Sequence, residues 1–284
     1  MNILNGKSFA EEYRLKLADK VKVLKEKYGV TPGLAVVLVG DDPASQIYVR
    51  NKIKACDDIG IKSFTVRLDE SVSQEEVESA VKSLAENPEV DGLFVQLPMP
   101  KKFNAENILK YIPTDKDIDG LCAENLGRLL TGQKCLVSCT PNGIIELLKG
   151  YGVSFTGKNA VVIGRSNMVG KPISALLLNE NCTVTTCHSK TENISFYTKN
   201  ADIIVCAIGR AKYLTADMVK DGAIVVDVGI NRVDGKLYGD VEFDSCSEKA
   251  SYITPVPGGV GPMTVTMLLY NSYLACIRNK GLNV

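Results

Sequence analysis

Apolar positions in this chain follow two rhythms, and their alternation predicts the elements. Over residues 7–28, Phe9, Tyr13, Leu17, Val21 and Leu24 recur at helical spacing, and Gly29 stops the run. Residues 33–40 (GLAVVLVG) form a continuous apolar run, the pattern of a strand buried on both faces. A helix is expected over residues 44–59, stopped by Gly60, and a strand over 61–68. A further helix is expected over 73–86, opened by Ser73 and Glu76 at capping-box spacing. Residues 90–95 read as a strand that ends before Pro98 and Pro100. After its leading helix this half runs β-α-β-α-β, which predicts a parallel sheet with helices on its faces.

Residues 113–142 are richer in turn residues and read as connecting structure and a hinge. Thr140-Pro141 opens a helix carrying Ile144, Ile145, Leu147 and Leu148 that stops at Gly150. The alternation then resumes, with strands over 159–163, 182–187, 201–208 and 223–228 and a helix over 169–178. A long amphipathic helix is expected over 263–277.

Composition narrows the class. The chain has 284 residues, with 45% hydrophobic and 23% charged residues, so it can bury a sizeable core without staples. Lys plus Arg and Asp plus Glu are each 33, and this zero net charge argues against nucleic acid as a partner. Nine scattered cysteines with no C-x-x-C read as reduced thiols in a reducing compartment, which predicts the cytosol. His188 is the only histidine, which removes most zinc-site and His-dependent triad readings, so no metal is expected. Neither a signal-peptide core nor a run of about 18 apolar residues is apparent, so no membrane association is expected.

Four motifs carry candidate chemistry. In VVIGRSNMVGKP a strand enters a Gly-containing turn and then a helix, the arrangement that brings backbone N–H groups to a phosphate. Ser166 stands where the usual fingerprint has its second glycine, so a plain β-α turn remains an alternative. The next strand ends Cys187-His188-Ser189-Lys190-Thr191 with no carboxylate, and Arg165 lies in the turn. A cation and hydroxyls suit a 2′-phosphate and favour NADP over NAD. Tyr48 and Lys52 are four apart and share one helix face; a solvated surface lysine is the alternative. Gln96 follows a strand's carboxyl end, where ligands of open α/β sheets bind. Asp115, Asp117 and Asp119 cluster before Gly120, as turn formers or as a carboxylate that binds an amino-heterocycle. Residues 255–264 (PVPGGVGPMT) form a pre-shaped loop whose backbone can approach a ligand.

Taken together, DDPASQIYVRNKIKACDDIGI, DGLFVQLPMP, KDIDG, CTPNGIIELL, GRSNMVGKP, TVTTCHSKT, GAIVVDVGIN and TPVPGGVGPMT resemble the bifunctional methylenetetrahydrofolate dehydrogenase/cyclohydrolase family, in order and along nearly the whole chain. The resemblance implies NADP-dependent oxidation of 5,10-methylenetetrahydrofolate to the methenyl form, then hydrolysis to 10-formyltetrahydrofolate at the same site. Lys52 is implied as the proton-transfer residue, since a lysine beside a cationic bridge gives up its proton more readily. Tyr48 packs on the folate and orients Lys52, Gln96 hydrogen-bonds Lys52, and Asp119 anchors the pterin. Val95 and Leu97 flank Gln96 in the substrate site, and Pro257, Gly258, Gly259, Gly261, Pro262 and Thr264 close around the folate. Gly164, Arg165 and Ser166 hold the cofactor phosphates, with Ser189 near the adenosine and Ile230 near the nicotinamide.

The implied fold is α/β with two domains and a cleft between them. An N-terminal α/β domain with a parallel sheet (1–138) is followed by a Rossmann-like NADP-binding domain (139–264), and the terminal helix (265–284) packs back onto the first. Family members are typically homodimers, and the substrate can carry a polyglutamate tail. Two departures stand out. Leu121-Cys122-Ala123 replaces an aromatic followed by His-Pro, and Ser138 replaces a proline. A monofunctional dehydrogenase and a non-catalytic folate- or nucleotide-binding protein are the alternatives.

Overall fold

The computed structural model of the protein describes residues 2–283. The first part of the chain forms β1 (Asn2–Ile3), α1 (Gly6–Tyr28), β2 (Gly33–Val39), α2 (Pro43–Ile59), β3 (Lys62–Leu68), α3 (Gln74–Glu86) and β4 (Gly92–Val95). Then come α4 (Ala105–Leu109), α5 (Ala123–Leu130), α6 (Cys139–Gly150), β5 (Asn159–Ile163), α7 (Gly170–Asn179) and β6 (Thr183–Cys187). The remainder is α8 (Ile194–Thr198), β7 (Ile203–Cys206), a 3-10 turn (Ala216–Met218), β8 (Ile224–Asp227), β9 (Asn231–Val233), β10 (Lys236–Tyr238), α9 (Phe243–Lys249), β11 (Tyr252–Ile253) and α10 (Val260–Asn279).

The chain divides into two compact units. One contains the residues up to Glu12, Leu129–Gln133 and Ser138–Met267; the other contains Tyr13–Arg128, Lys134–Val137 and the residues from Leu268 on. The first unit is built on a six-stranded sheet ordered β1-β11-β8-β7-β5-β6, parallel throughout. Its central strands β5, β7 and β8 read NAVVI, IIVC and IVVD, and they are buried almost throughout, as parallel strands covered on both faces must be. The edge strand β6, TVTTC, is Thr-rich and half covered. The second unit is built on a parallel sheet ordered β3-β2-β4. Its middle strand β2 is fully buried, while the edge strand β3 alternates between exposed and half-buried residues. Val77, Val81 and Leu84 of α3 and Ile108 of α4 pack on this sheet with Ala35, Val37, Leu93 and Val95. The capping box of Ser73 and Glu76 opens α3, with both reciprocal hydrogen bonds made.

In both sheets one strand has later strands on both of its sides, so the chain departs to opposite sides of it. β2 is flanked by β3 and β4, and β5 by β6 and β7. Each is a topological switch point, where connections leave a crevice at the strand carboxyl ends.

The structure differs from expectation in several places, three of which bear on the domains. Asn2–Ile3 pairs with β11 in the six-stranded sheet, so the N-terminus lies with the second half of the chain rather than within a first domain of 1–138. A two-residue strand carries no periodicity, so only its distant partner defines it. Residues 113–142 are not simply connecting structure, since they contain α5, whose Leu126, Leu129 and Leu130 recur at helical spacing. The last helix begins at Val260. It is long and apolar enough to span a membrane by length and composition, and 61% of its apolar window is buried in the folded chain.

Candidate active site

In the unit built on β2, local sequence sets α2 with unusual definition. Asp42 accepts the Ser45 N–H at 2.7 Å, Pro43 occupies the first turn, and Gly60 closes the helix in the left-handed region. Ser45, Val49, Cys56 and Ile59 form its buried stripe. Lys52 falls at helical spacing between Val49 and Cys56, so a cation occupies a core-facing position and is half-buried. Burial one turn further along pushes the Cys56 thiol up to about 12, the mark of a dry surrounding.

The Lys52 ammonium lies over the Phe94 ring, 4.0 Å from its centroid, and donates to Gln96 Oε1 at 3.2 Å. Phe94 and Gln96 stand two apart at the end of β4, so the pleat turns both side chains to one face. Gln96 Nε2 donates to Leu97 O at 2.6 Å, which leaves only the amide oxygen to face Lys52. The same ring helps explain why Lys52 can sit where it does, since a half-buried ammonium needs both a hydrogen-bond acceptor and an electron-rich face. The Leu97–Pro98 peptide that follows is cis.

The three aspartates of residues 115–119 have different surroundings. Asp115 is exposed. Asp117 is buried and organises the turn, accepting Cys122 N–H at 2.8 Å and Asn125 Nδ2 at 3.1 Å. An isolated parallel bridge from Asp117 to Leu93 places this turn alongside β4. Asp119 is half-buried and feels the Lys52 charge; burial still holds its carboxyl above the usual carboxylate range, with Asp117 adding to the rise. Tyr48 lies one turn before Lys52 on α2 and is 50% exposed, so its ring presents a free face on the Lys52 side of the helix.

In the other unit, the turn after β5 follows from one backbone conformation and one close approach. Gly164 has φ +133, and a Cβ there would lie 2.2 Å from Ala207 O at the end of β7. Only glycine meets both demands. Ser166 Oγ accepts the Val169 and Gly170 N–H groups at 3.1 and 3.3 Å, shaping the entry to α7. Arg165 and Ser166 are exposed at the carboxyl end of β5. Gly164 N donates to Cys187 O at 2.8 Å, which sets the turn beside the segment carrying Ser189 and Lys190, both exposed. Among the described residues Arg165 and Lys190 have no carboxylate partner. His188 Nδ1 accepts the Lys190 N–H at 3.2 Å and serves the turn.

Several residues gain a definite place. Ser138, which stands where the resembled family usually has a proline, donates from Oγ to Met168 O at 2.7 Å and so braces the glycine turn. Cys122, at the other departure, accepts the Asn125 N–H at 3.4 Å through Sγ and caps the start of α5. In the loop over 257–264, Gly258 O accepts the Lys7 N–H at 2.9 Å, and Thr264 and Thr140 hydroxyls are 2.8 Å apart. Pro257, Gly259, Gly261 and Pro262 complete that loop and the first turn of α10. Sequence reasoning missed Phe94, although its period-two spacing to Gln96 was visible. It also missed Asp227 and Asp240, whose partners are distant in the chain. Of the nine cysteines, all but Cys122 are buried.

Each unit therefore carries its polar and charged groups at the carboxyl ends of central parallel strands, which is the layout of a nucleotide-dependent α/β enzyme. Comparison with known proteins makes the class specific. Residues 4–119 match the catalytic domain of tetrahydrofolate dehydrogenase/cyclohydrolase, and residues 138–280 match the NAD(P)-binding domain of the same family. The chain belongs to the tetrahydrofolate dehydrogenase/cyclohydrolase family. It is 52% identical to the bifunctional protein FolD of Bacillus subtilis, over 97% of this chain and 98% of that protein. The crystal structure of the Campylobacter jejuni bifunctional enzyme FolD superposes with a TM-score of 0.96 at 47% identity, covering 98% of this chain and 99% of that one. The Trypanosoma brucei dehydrogenase-cyclohydrolase, solved with NADP and an inhibitor, gives 0.92 at 38% identity over 98% of each chain.

Proposed function

We propose that this protein oxidises 5,10-methylenetetrahydrofolate with NADP⁺ to 5,10-methenyltetrahydrofolate and hydrolyses that product to 10-formyltetrahydrofolate, with Lys52 as the proton-transfer residue. The observation that carries this reading is the Lys52 amine held over Phe94 and 3.2 Å from a Gln96 oxygen that is itself locked. Exposed lysines such as Lys62 also lie over a ring and pair with a carboxylate, but Lys52 is half-buried in the apolar stripe of α2 and bonds a neutral amide.

NADP supplies the hydride acceptor when bound. The residues present suit it: Gly164 leaves the backbone open for a phosphate, Arg165 and Lys190 are free cations, and Ser189 adds a hydroxyl where NAD sites carry a carboxylate. Ile230 lies toward the nicotinamide side. Hydride transfer itself asks the protein for orientation, and Asp119, Tyr48, Val95 and Leu97 hold the folate for it. Hydrolysis asks for proton transfer. Water bonds to the cationic bridge carbon and the Lys52 amine takes one of its protons. The bond from that carbon to N5 of the folate then breaks, N5 takes that proton from Lys52, and the second water proton leaves to solvent. Gln96 keeps the amine aimed throughout.

A paired assay tests the reading. Methylenetetrahydrofolate would be supplied with NADP⁺ or NAD⁺ while reduced nucleotide is recorded, and decay of the methenyl absorbance would be followed separately. NADP⁺-dependent reduction with accelerated decay is expected. Reduction without accelerated decay would leave a dehydrogenase alone, and neither signal from folded protein would leave a binding protein.

Asp119 gives a separate expectation. A carboxylate accepts two N–H groups of an amino-pterin, whereas an asparagine accepts one and opposes the other. Asp119→Asn should raise KM for the folate about 10–100-fold, equivalent to about 1–3 kcal/mol. Because its carboxyl titrates above the usual range, wild-type folate affinity should weaken on acidification before ordinary carboxylates protonate. A KM that stays flat across that interval in the wild type, or an unchanged KM in Asp119→Asn, would remove Asp119 from the site.

The same reading includes the cytosol as the location, a substrate that can carry a polyglutamate tail, and a homodimer. Val233 and Leu237, exposed on the β9–β10 hairpin, support an interface there.

A further inference from the structure

Beneath the loop that carries Ile230 lies a pair of buried carboxylates. Asp227 is 3% exposed and Asp240 is fully covered. Asp227 ends β8; its Oδ1 accepts the Gly229 and Asp240 N–H groups at 3.0 and 2.8 Å, and its Oδ2 accepts that of Val241 at 3.0 Å. Asp240 Oδ2 accepts the Ile208 and Gly209 N–H groups at 2.7 and 2.9 Å. Its Oδ1 accepts the Arg210 N–H at 2.8 Å and Asn231 Nδ2 at 2.9 Å. A carboxylate offers about four acceptor sites, and those of Asp240 are filled by the protein's own donors.

Two consequences follow for the backbone. Three consecutive N–H groups after β7 are gathered onto one side chain, on the strand whose Ala207 O abuts the Gly164 turn. Ile230 is clamped from both sides, through Gly229 to Asp227 and through Asn231 to Asp240. Gly229 has no room for a side chain, since a Cβ there would lie 2.1 Å from Asp240 Oδ1. Ile230 itself remains 56% exposed, an apolar side chain held out on a fixed backbone. Burial pushes Asp227 up to about 6 even with three donors, and the neighbouring Asp240 adds to the rise. Two adjacent buried carboxyl groups are a costly way merely to connect strands.

We propose that Asp227 and Asp240 are positioning residues for the oxidation, holding Ile230 and residues 208–210 as the nicotinamide-side wall of the cofactor site. This rests on the reading above that Ile230 faces the nicotinamide. A displacement of about 1 Å in such a wall can cost about 100-fold in rate.

The test compares Asp240→Asn, the milder Asn231→Ala and Ile230→Ala with wild type. NADP⁺-dependent oxidation, nucleotide-free hydrolysis of methenyltetrahydrofolate and Tm would be measured for each. For Asp240→Asn, kcat of oxidation should fall about 10–100-fold, by a larger factor than any rise in KM for NADP⁺, while hydrolysis stays at the wild-type rate. Asn231→Ala should shift the two activities in the same sense by a smaller factor, which keeps the test open where Asp240→Asn folds poorly. Loss of oxidation in Ile230→Ala but not in the Asp240 and Asn231 variants would overturn the inference and leave the cofactor-site reading standing. Parallel loss of both activities with a lowered Tm would make the pair structural only and overturn it too. Absence of NADP⁺-dependent oxidation in the wild type would instead sink the functional reading on which the inference rests.

Discussion

Lys52→Met should lower hydrolysis of methenyltetrahydrofolate about 10²–10⁴-fold, the span that a positioned proton-transfer group contributes, while NADP⁺-dependent oxidation falls far less. Methionine copies the length of the lysine stem. It can keep the place between Val49 and Cys56 on the buried stripe of α2 and lay its thioether against Phe94. The substitution therefore removes the amine with little change in shape. Gln96 Oε1 loses the donor 3.2 Å away and is left half-buried, open to water. Oxidation depends on holding the folate rather than on moving a proton, so it retains Asp119 and the remaining contacts. Separate rates for the two steps, with folate binding measured directly, check this. Retained hydrolysis in a variant that still binds folate would remove Lys52 from the proton-transfer role.

Gly164→Ala should raise KM for NADP⁺ by about two orders of magnitude, as expected when positioning groups shift by about 1 Å. The added methyl group meets Ala207 O at 2.2 Å, and this backbone, just past the buried strand β7 and held by its N–H to Ile163 O, cannot readily step aside. The φ of +133 is also one that a residue with a Cβ rarely adopts. Such a conformation costs about 1–3 kcal/mol, so the turn will open rather than carry both penalties. Opening moves Arg165, Ser166 and the start of α7 together, because Ser166 Oγ holds the Val169 and Gly170 N–H groups. Hydrolysis should decline less than oxidation, so the ratio of the two rates rises. NADP⁺ titration of oxidation, with a melting curve on the same sample, reads this out. A folded variant with wild-type KM for NADP⁺ would show that the turn does not hold the cofactor.

Much of the fold was legible because its signals are local. β2 and β5 are continuous apolar runs, α3 carries its capping box, and Gly60 marks the end of α2. Each depends on residues within a few positions of one another. β1 and β11 are two residues long and exist only through pairing with other strands, β1 with a partner across most of the chain. The hairpin β9–β10 and the helix α5 were missed because short segments leave little periodicity to read.

The candidate site divides in the same way. Sequence alone determined which residues are candidates for the chemistry: Lys52 lies in register with the apolar stripe of α2, Gln96 ends a strand, and a glycine turn follows β5. Helical and pleated spacing dictate those facings before any contact forms. Only the tertiary structure decided what surrounds these groups. It set Lys52 over Phe94, made Asp117 the turn former and left Asp119 facing the lysine, and gathered residues 208–210, Gly229 and Asn231 around two carboxylates. The physical reason is that these features are hydrogen bonds, burial and charge coupling between segments far apart in the chain, and such interactions exist only once the parallel sheets have assembled and excluded water.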